Sequence, residues 1–318
     1  MLSNTMFECY IDNLAVSEDL REMNTNVATT GVVIQELRLD NQQERLENQQ
    51  ERLDSQQERL HNQQERIVRL LSASDPSTNY TNAREKRHSG TGIWFIHDEA
   101  FEKWKRQTNS FLWLYGIAGC GKTVLSSTII EHLKSYIQPD RSLLYFYFAF
   151  DDPSKQTLED MLRSLTIQLY QAQPEARNPL DDLWRAWGGS NQHLSKQVLH
   201  AILLEMLSKI NDTSIVLDAL DEASTRSDLL AWLKSVHEFD RSVRILVTAR
   251  REQDIESALQ NWTQPGDMIE IQESVIDGDI RAYVHHRVRN SSELDRWQNW
   301  PEVQDEIESE LVKKADGM

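Results

Sequence analysis

Eight residues, GIAGCGKT from Gly116 to Thr123, constrain this chain more than any other stretch. They fit G-x-x-x-x-G-K-[ST], a loop whose backbone N–H groups wrap a polyphosphate at the N-terminus of a helix. The flanks agree with that reading. Phe111–Tyr115, FLWLY, is a bulky apolar run of the kind found in buried parallel strands, and Val124, Leu125, Ile129, Ile130 and Leu133 recur at helical spacing. Gly116, Ile117, Ala118, Gly119, Cys120, Gly121, Lys122 and Thr123 are therefore the candidate nucleotide-binding residues. Gly119 and Gly121 let the backbone approach the anion, Lys122 is placed to reach the β- and γ-phosphates, and the Thr123 hydroxyl is a ligand for Mg²⁺. Cys120, at a helix N-terminus, reads as a small space-filling residue, with redox sensitivity as the alternative.

The rest of the globular part alternates strand and helix. Ser142–Phe150, Ser214–Leu217, Arg244–Thr248 and Met268–Ile271 read as further strands. Helices are expected over Thr157–Gln171, Ser195–Lys209, Leu229–Val236, 275–289 and 302–314. That pattern predicts an α/β fold: a P-loop NTPase with a mostly parallel five-stranded sheet covered by helices. Ligands of such sheets lie at the carboxyl ends of the strands, and Gly116, Asp218 and Arg250 all fall there.

Asp218 directly follows a strand and is the candidate Mg²⁺ ligand beside Thr123. Asp221 and Glu222 add two carboxylates at the same opening, so a cation is implied. Glu222 is favoured as the base that deprotonates an attacking water, with Asp221 supporting metal or water. Arg250 is the candidate for stabilising charge on the transferred phosphate, with Arg251 as its rival. No N-K-x-D signature for guanine follows any strand, which favours ATP and ADP as the ligands. His285 and His286 are adjacent, a spacing that makes no metal site.

Ahead of this region stand four near-copies of one heptad: NQQERLE, NQQERLD, SQQERLH and NQQERIV. Val32, Leu39, Leu46, Leu53, Leu60 and Ile67 keep a strict spacing of seven, a coiled-coil register with glutamine in the other core layer. Self-association through this segment is one reading; a solvated single helix or a repeat-expanded linker is the other. The expected organisation is an unassigned segment over 1–30, the heptad coiled coil over 31–72 and a linker of turn formers over 73–89. An NTPase domain then occupies 90–290, with a helical extension over 291–318. Pro76 is expected to stop the helix. The basic cluster Arg84, Lys86, Arg87, His88 reads as solvated, with nucleotide contact as its functional alternative.

A net charge of −17 argues against general attraction to nucleic acid or to an acidic membrane surface. Two cysteines give no disulfide framework, no apolar run reaches the length of a membrane span, and the first ten residues lack a secretory pattern; a cytoplasmic location is expected.

The blocks GTGIWF at 90–95, FLWLYGIAGCGKTVLSS at 111–127, LLYFYFAFDD at 143–152, IVLDALDEA at 215–223 and ILVTARRE at 245–252 together resemble the NACHT-type signal-transduction NTPases of fungal NOD-like receptor proteins, close to the nephrocystin 3-like N-terminal domain. The resemblance implies an ATP/ADP switch between an effector region and a repeat sensor. It also implies Lys122 and Thr123 on phosphate and Mg²⁺, Asp218 on Mg²⁺, Asp221 and Glu222 in hydrolysis, and Arg250 as sensor. Ala219 stands where many such proteins have glycine, a conservative departure. Relatives run on into winged-helix and repeat regions past a point equivalent to Met318, so a truncated chain with weak ADP retention is expected. A slow ATPase acting as an oligomerisation switch is the first functional reading. A P-loop kinase or motor ATPase and a non-hydrolysing coiled-coil scaffold are the alternatives.

Overall fold

A computed structural model describes residues 2–136, 138, 141–187, 194–239 and 242–315. Side chains at 2–16, 18, 19, 28, 32, 33, 36, 37, 273–275, 292 and 293 lie outside that description, which removes Val32 from the heptad row. The chain divides into two units, Met1–Arg66 and Ile67–Met318.

The first unit is one helix. Helix α1 spans Leu2–Leu71, so the described part of the 1–30 segment, which shows no periodicity, is helical as well. The heptads are rich in Gln, Glu, Arg and Leu, all strong helix formers, and the side chains add pairs along the helix surface. Gln43 Nε2 donates to Glu47 Oε1 at 3.0 Å, Gln50 Nε2 to Asp54 Oδ1 at 2.8 Å, and His61 meets Glu65 at 3.3 Å. The heptad leucines lie open: Leu39, Leu46, Leu53 and Leu60 are 60, 61, 51 and 58% exposed.

The second unit begins with the last turn of α1, where Ile67 and Leu71 are fully buried. Helix α1 ends at Leu71, where Ser72 takes a left-handed φ of 42°, so Pro76 is not what stops it. Pro76 instead leads into helix α2, Ser77–Lys86, inside the expected linker. The turn-forming residues there act as a cap: Asp75 accepts from the Ser77 N–H at 2.8 Å and its hydroxyl at 2.7 Å. Tyr80 and Ala83 then give α2 a buried face. Two short helices follow, α3 (Ile93–Ile96) and α4 (Glu99–Arg106), the latter capped by Asp98.

Strand β1, Phe111–Tyr115, leads through the glycine loop into α5, Lys122–Tyr136. Strand β2 covers Arg141–Tyr147 and stops three residues before the expected Phe150. Phe148 N still bonds Asp218 O at the end of β3, and the chain leaves the sheet where Ala149 N turns to Lys155 O. Helices α6 (Leu158–Ala172), α7 (Asn178–Ala186) and α8 (Lys196–Leu207) come next, α6 opening with a Thr157–Asp160 capping box. Strand β3 (Asp212–Asp218), α9 (Arg226–Phe239), β4 (Val243–Ala249), α10 (Gln253–Gln260), β5 (Met268–Glu270), α11 (Glu273–Asn290) and α12 (Pro301–Ala315) complete the unit.

The five strands pair in parallel in the order β2-β3-β4-β1-β5, as the α/β reading requires. Side chains alternate between the two faces of the sheet. Trp113, Phe146, Leu217 and Val247 enter one core with α6, α8 and α9. Leu112, Leu114, Val216 and Leu246 enter the other with α5, Phe95, Phe101 and Trp104. Helices on both faces explain why β4 is buried along its whole length and carries no polar alternation. The order places β4 between the strand that feeds the glycine loop and the strand that ends in Asp218.

Candidate nucleotide and metal site

The loop conformation follows from its glycines. Gly121 has φ +82°, which a residue with a side chain adopts only under strain. At Gly116 the constraint is space: a Cβ would lie 2.8 Å from Cys120 Sγ and 3.3 Å from Ile271 Cβ. Cys120 thus fills the volume under the loop, in agreement with the space-filling reading. Lys122 Nζ donates to the Gly116 and Ile117 carbonyls at 2.9 and 2.6 Å, so the ammonium sits inside its own loop.

Asp218 is 2% exposed and is held by three hydroxyls from two elements, α5 and β4. Thr123 Oγ1 donates to Oδ2 at 2.8 Å; Ser126 Oγ and Thr248 Oγ1 donate to Oδ1 at 2.6 and 2.7 Å. Burial raises its carboxyl above the usual range, and the three hydroxyls and the nearby Lys122 oppose that shift. A buried carboxylate beside a threonine hydroxyl is an all-oxygen, hard donor set, which suits Mg²⁺. Ser126 and Thr248 were not legible as site residues. Ser126 lies one turn beyond Thr123 on α5, and Thr248 lies near the end of β4, where the sheet order brings it beside Asp218.

Immediately after Asp218 the chain turns through Ala219 at φ 56° and ψ 49°. Alanine here is therefore less conservative than it looks, since a left-handed residue with a Cβ costs about 1–2 kcal/mol. The Ala219 N–H donates to Thr248 Oγ1 at 3.0 Å, which fixes the turn. Asp221 gives both carboxylate oxygens to Arg250: Oδ1 accepts from its backbone N–H at 2.9 Å and Oδ2 lies 3.2 Å from Nε. Glu222 Oε2 accepts from Phe150 N at 3.1 Å. Burial raises the Glu222 carboxyl, and Asp221 and Asp218 add to the rise. Arg251 turns to Glu256 at 2.8 Å and lies over the Tyr115 ring, so of the two rival arginines only Arg250 faces the site.

Two cavities flank the loop. A polar one of ≈ 220 Å³ is bounded by Gly119, Lys122, Thr123, Asp221, Glu222 and Arg250. A larger, mostly apolar one of ≈ 490 Å³ is walled by Trp94, Cys120, Leu125, Ile271, Ile276 and Tyr283. Gly119, Gly121 and Val124 border both. The basic cluster before the domain reaches the second cavity: Lys86, Arg87 and His88 line it with Arg287, and the His88 and His286 rings meet at 4.6 Å. Arg84, by contrast, lies near Glu131 at 3.6 Å. Asp279 accepts from Gly92 N at 2.7 Å, which ties α11 to the loop entering the domain.

A family model described as nephrocystin 3, N-terminal, matches residues 90–250. Vegetative incompatibility protein HET-E-1 of Podospora anserina is 28% identical over 206 residues, covering 61% of this chain; the chain spans 15% of that relative's length. Among solved structures, domain III of the Thermotoga maritima replication initiation protein DnaA is similar at a TM-score of 0.33 and 15% identity, over 72% of this chain and 85% of that one. A likeness that loose carries no argument about topology or function.

Proposed function

The chain belongs to the nephrocystin 3, N-terminal, family, and from that premise we propose that its second unit binds ATP and ADP with Mg²⁺ and hydrolyses ATP slowly as a signalling switch. One observation carries the reading. The phosphate loop, Glu222 and Arg250 line one cavity, whose Thr123 bonds the buried Asp218 at 2.8 Å, and that cavity adjoins an apolar one across the same glycines. The loop N–H groups and Lys122 bind the phosphates; the apolar cavity takes the adenosine end, with Trp94 and Ile276 in its wall.

Thr123 and Asp218 would hold Mg²⁺, which would supply positive charge to offset that of the phosphates. Glu222 accepts the proton of the attacking water at its carboxylate, a role suited to a group whose affinity for protons is raised by burial. Arg250, fixed through Asp221, balances charge that develops on the transferred phosphoryl group. Slow turnover is supported by how these groups are engaged. Lys122 is bonded within its loop, Asp221 is committed to Arg250, and Glu222 is held by the Phe150 N–H. The Lys122 contacts in particular must be exchanged before its ammonium reaches a phosphate.

The signalling part of the proposal, in which nucleotide state governs oligomerisation, is supported by the likeness to an incompatibility protein and by the heptad unit. Fungal origin and a cytoplasmic location belong to the same proposal; no helix among the described residues is long and apolar enough to cross a membrane. Calorimetry with ATP and ADP and phosphate release with wild type and Lys122→Ala test it. Binding and slow release, both lost in Lys122→Ala, are expected. No binding at millimolar ATP overturns the proposal, and turnover above roughly 1 s⁻¹ points to an ordinary turnover enzyme.

A further inference from the structure

We infer that the heptad helix of the first unit is an interface for a second copy of this chain, paired parallel and in register. The inference stands on Met1–Arg66 and does not require bound nucleotide; in the proposed function the nucleotide state acts on how strongly such pairs cluster. Leu39, Leu46, Leu53 and Leu60 are each more than half exposed, and they recur every seven residues without exception. On a straight helix a seven-residue row drifts by about 20° per heptad, and two helices winding around each other cancel that drift. A strict repeat therefore keeps one leucine row turned toward a second helix along its length. The row open to a partner ends at Leu60, because Ile67, next in the series, is buried in the second unit's core.

The occupant is set by the repetition. The heptads are near-copies, so the face this helix offers is the face it needs, the condition for an isologous pair. The charge pattern then selects the orientation under either heptad assignment. With the leucines at a, Arg45, Arg52, Arg59 and Arg66 occupy g and glutamines occupy e. A parallel pair sets arginine against glutamine, whereas an antiparallel pair sets arginine against arginine. With the leucines at d, Asp40, Glu47, Asp54 and His61 occupy e and glutamines occupy g. Parallel packing again sets acid against amide, and antiparallel packing sets Glu47 against Asp54. Register follows from counting layers. In register, all four leucine layers meet, and each seven-residue slip gives one up. The alternate core layer is glutamine throughout, so pairing is weak and reversible with concentration.

The test uses the full chain without nucleotide, as wild type and as Lys122→Ala. Sedimentation from low to high micromolar concentration is expected to show both passing from monomer to dimer. Leu46→Gln combined with Leu53→Gln weakens that step by at least about tenfold, since two buried leucines are lost, while circular dichroism keeps its helical signal. In a Cys9→Ser background, Leu53→Cys chains link to one another under a thiol oxidant, and Leu39→Cys chains mixed with Leu60→Cys chains do not cross-link to each other. A monomer at every concentration, a dimer indifferent to the glutamine pair, or a dominant 39-to-60 product would each overturn the inference. Loss of nucleotide binding in Lys122→Ala with pairing unchanged would leave it standing.

Discussion

Leucine does opposite things in the two units. In β3 and β4, Leu217 and Leu246 are fully buried between a sheet and its covering helices, whereas Leu39 to Leu60 lie more than half open on α1. The first set holds a fold together through apolar burial and close packing. The second contributes little to the helix that carries it, which is sustained by residue propensity and by pairs such as Gln50–Asp54. Pattern alone therefore does not determine what a hydrophobic residue does; the presence of a facing surface does.

Substitutions can break or sharpen that contrast. The largest effect is expected in the chemistry confined to the second unit. Glu222→Gln should lower phosphate release by about 10²–10⁴-fold, while calorimetry shows ATP binding retained. Unchanged turnover would remove Glu222 from the mechanism. Next comes packing. Leu217→Ala should cost about 2–5 kcal/mol in urea unfolding of the globular unit, against about 0.5 kcal/mol or less for Leu53→Ala in dilute solution. Equal costs would mean that the heptad leucines are already covered. A smaller gain is expected at the turn after Asp218: Ala219→Gly should stabilise by about 1 kcal/mol by relieving the left-handed alanine.

The smallest effect is the response to pH. Burial lowers the affinity of His132, His200 and His237 for protons in the folded unit. Between their folded pKa values and about 6.5 the unfolded chain binds more protons. Their contribution to stability is therefore complete above about pH 6.5 and declines as the pH falls below it. The raised carboxyls of Asp218 and Glu222 pull the other way, so the test compares wild type with the triple variant His132→Gln, His200→Gln, His237→Gln. The triple variant should lose less, or gain more, urea stability than wild type between about pH 7.5 and 5.5, and identical profiles would contradict the burial of these rings.

The features legible in sequence were those carried by local pattern. The apolar run of β1, the glycine loop and the acid after β3 are contiguous signals, and the structure brings Gly116–Thr123, Asp218, Glu222 and Arg250 to adjoining positions. Features that depend on contact between distant segments were not legible. The helix Ser77–Lys86 was hidden because Asp75, Ser77 and Asn79 read as turn formers, although Asp75 caps the helix and Asn79 accepts from Lys155 at 2.8 Å. The hydroxyls that clamp Asp218 come from α5 and β4, and no spacing within either segment distinguishes Ser126 or Thr248 from an ordinary serine or threonine. Arg226 is similar. It donates to the Asp221 carbonyl at 2.6 Å and pairs with Glu252 and Asp254, joining the ends of β3 and β4 in a way only the fold reveals.

The interposed strand β4 works as a ruler. Two strand spacings, about 9–10 Å, separate β1 from β3, and both intervals are locked by hydrogen-bond ladders along their length. The sheet therefore cannot widen or narrow the gap between phosphate loop and acid without tearing one of those ladders. Any difference this protein registers between a triphosphate and a diphosphate has to be read beyond the strand ends, by the side chains and turns at Lys122, Ala219, Glu222 and Arg250.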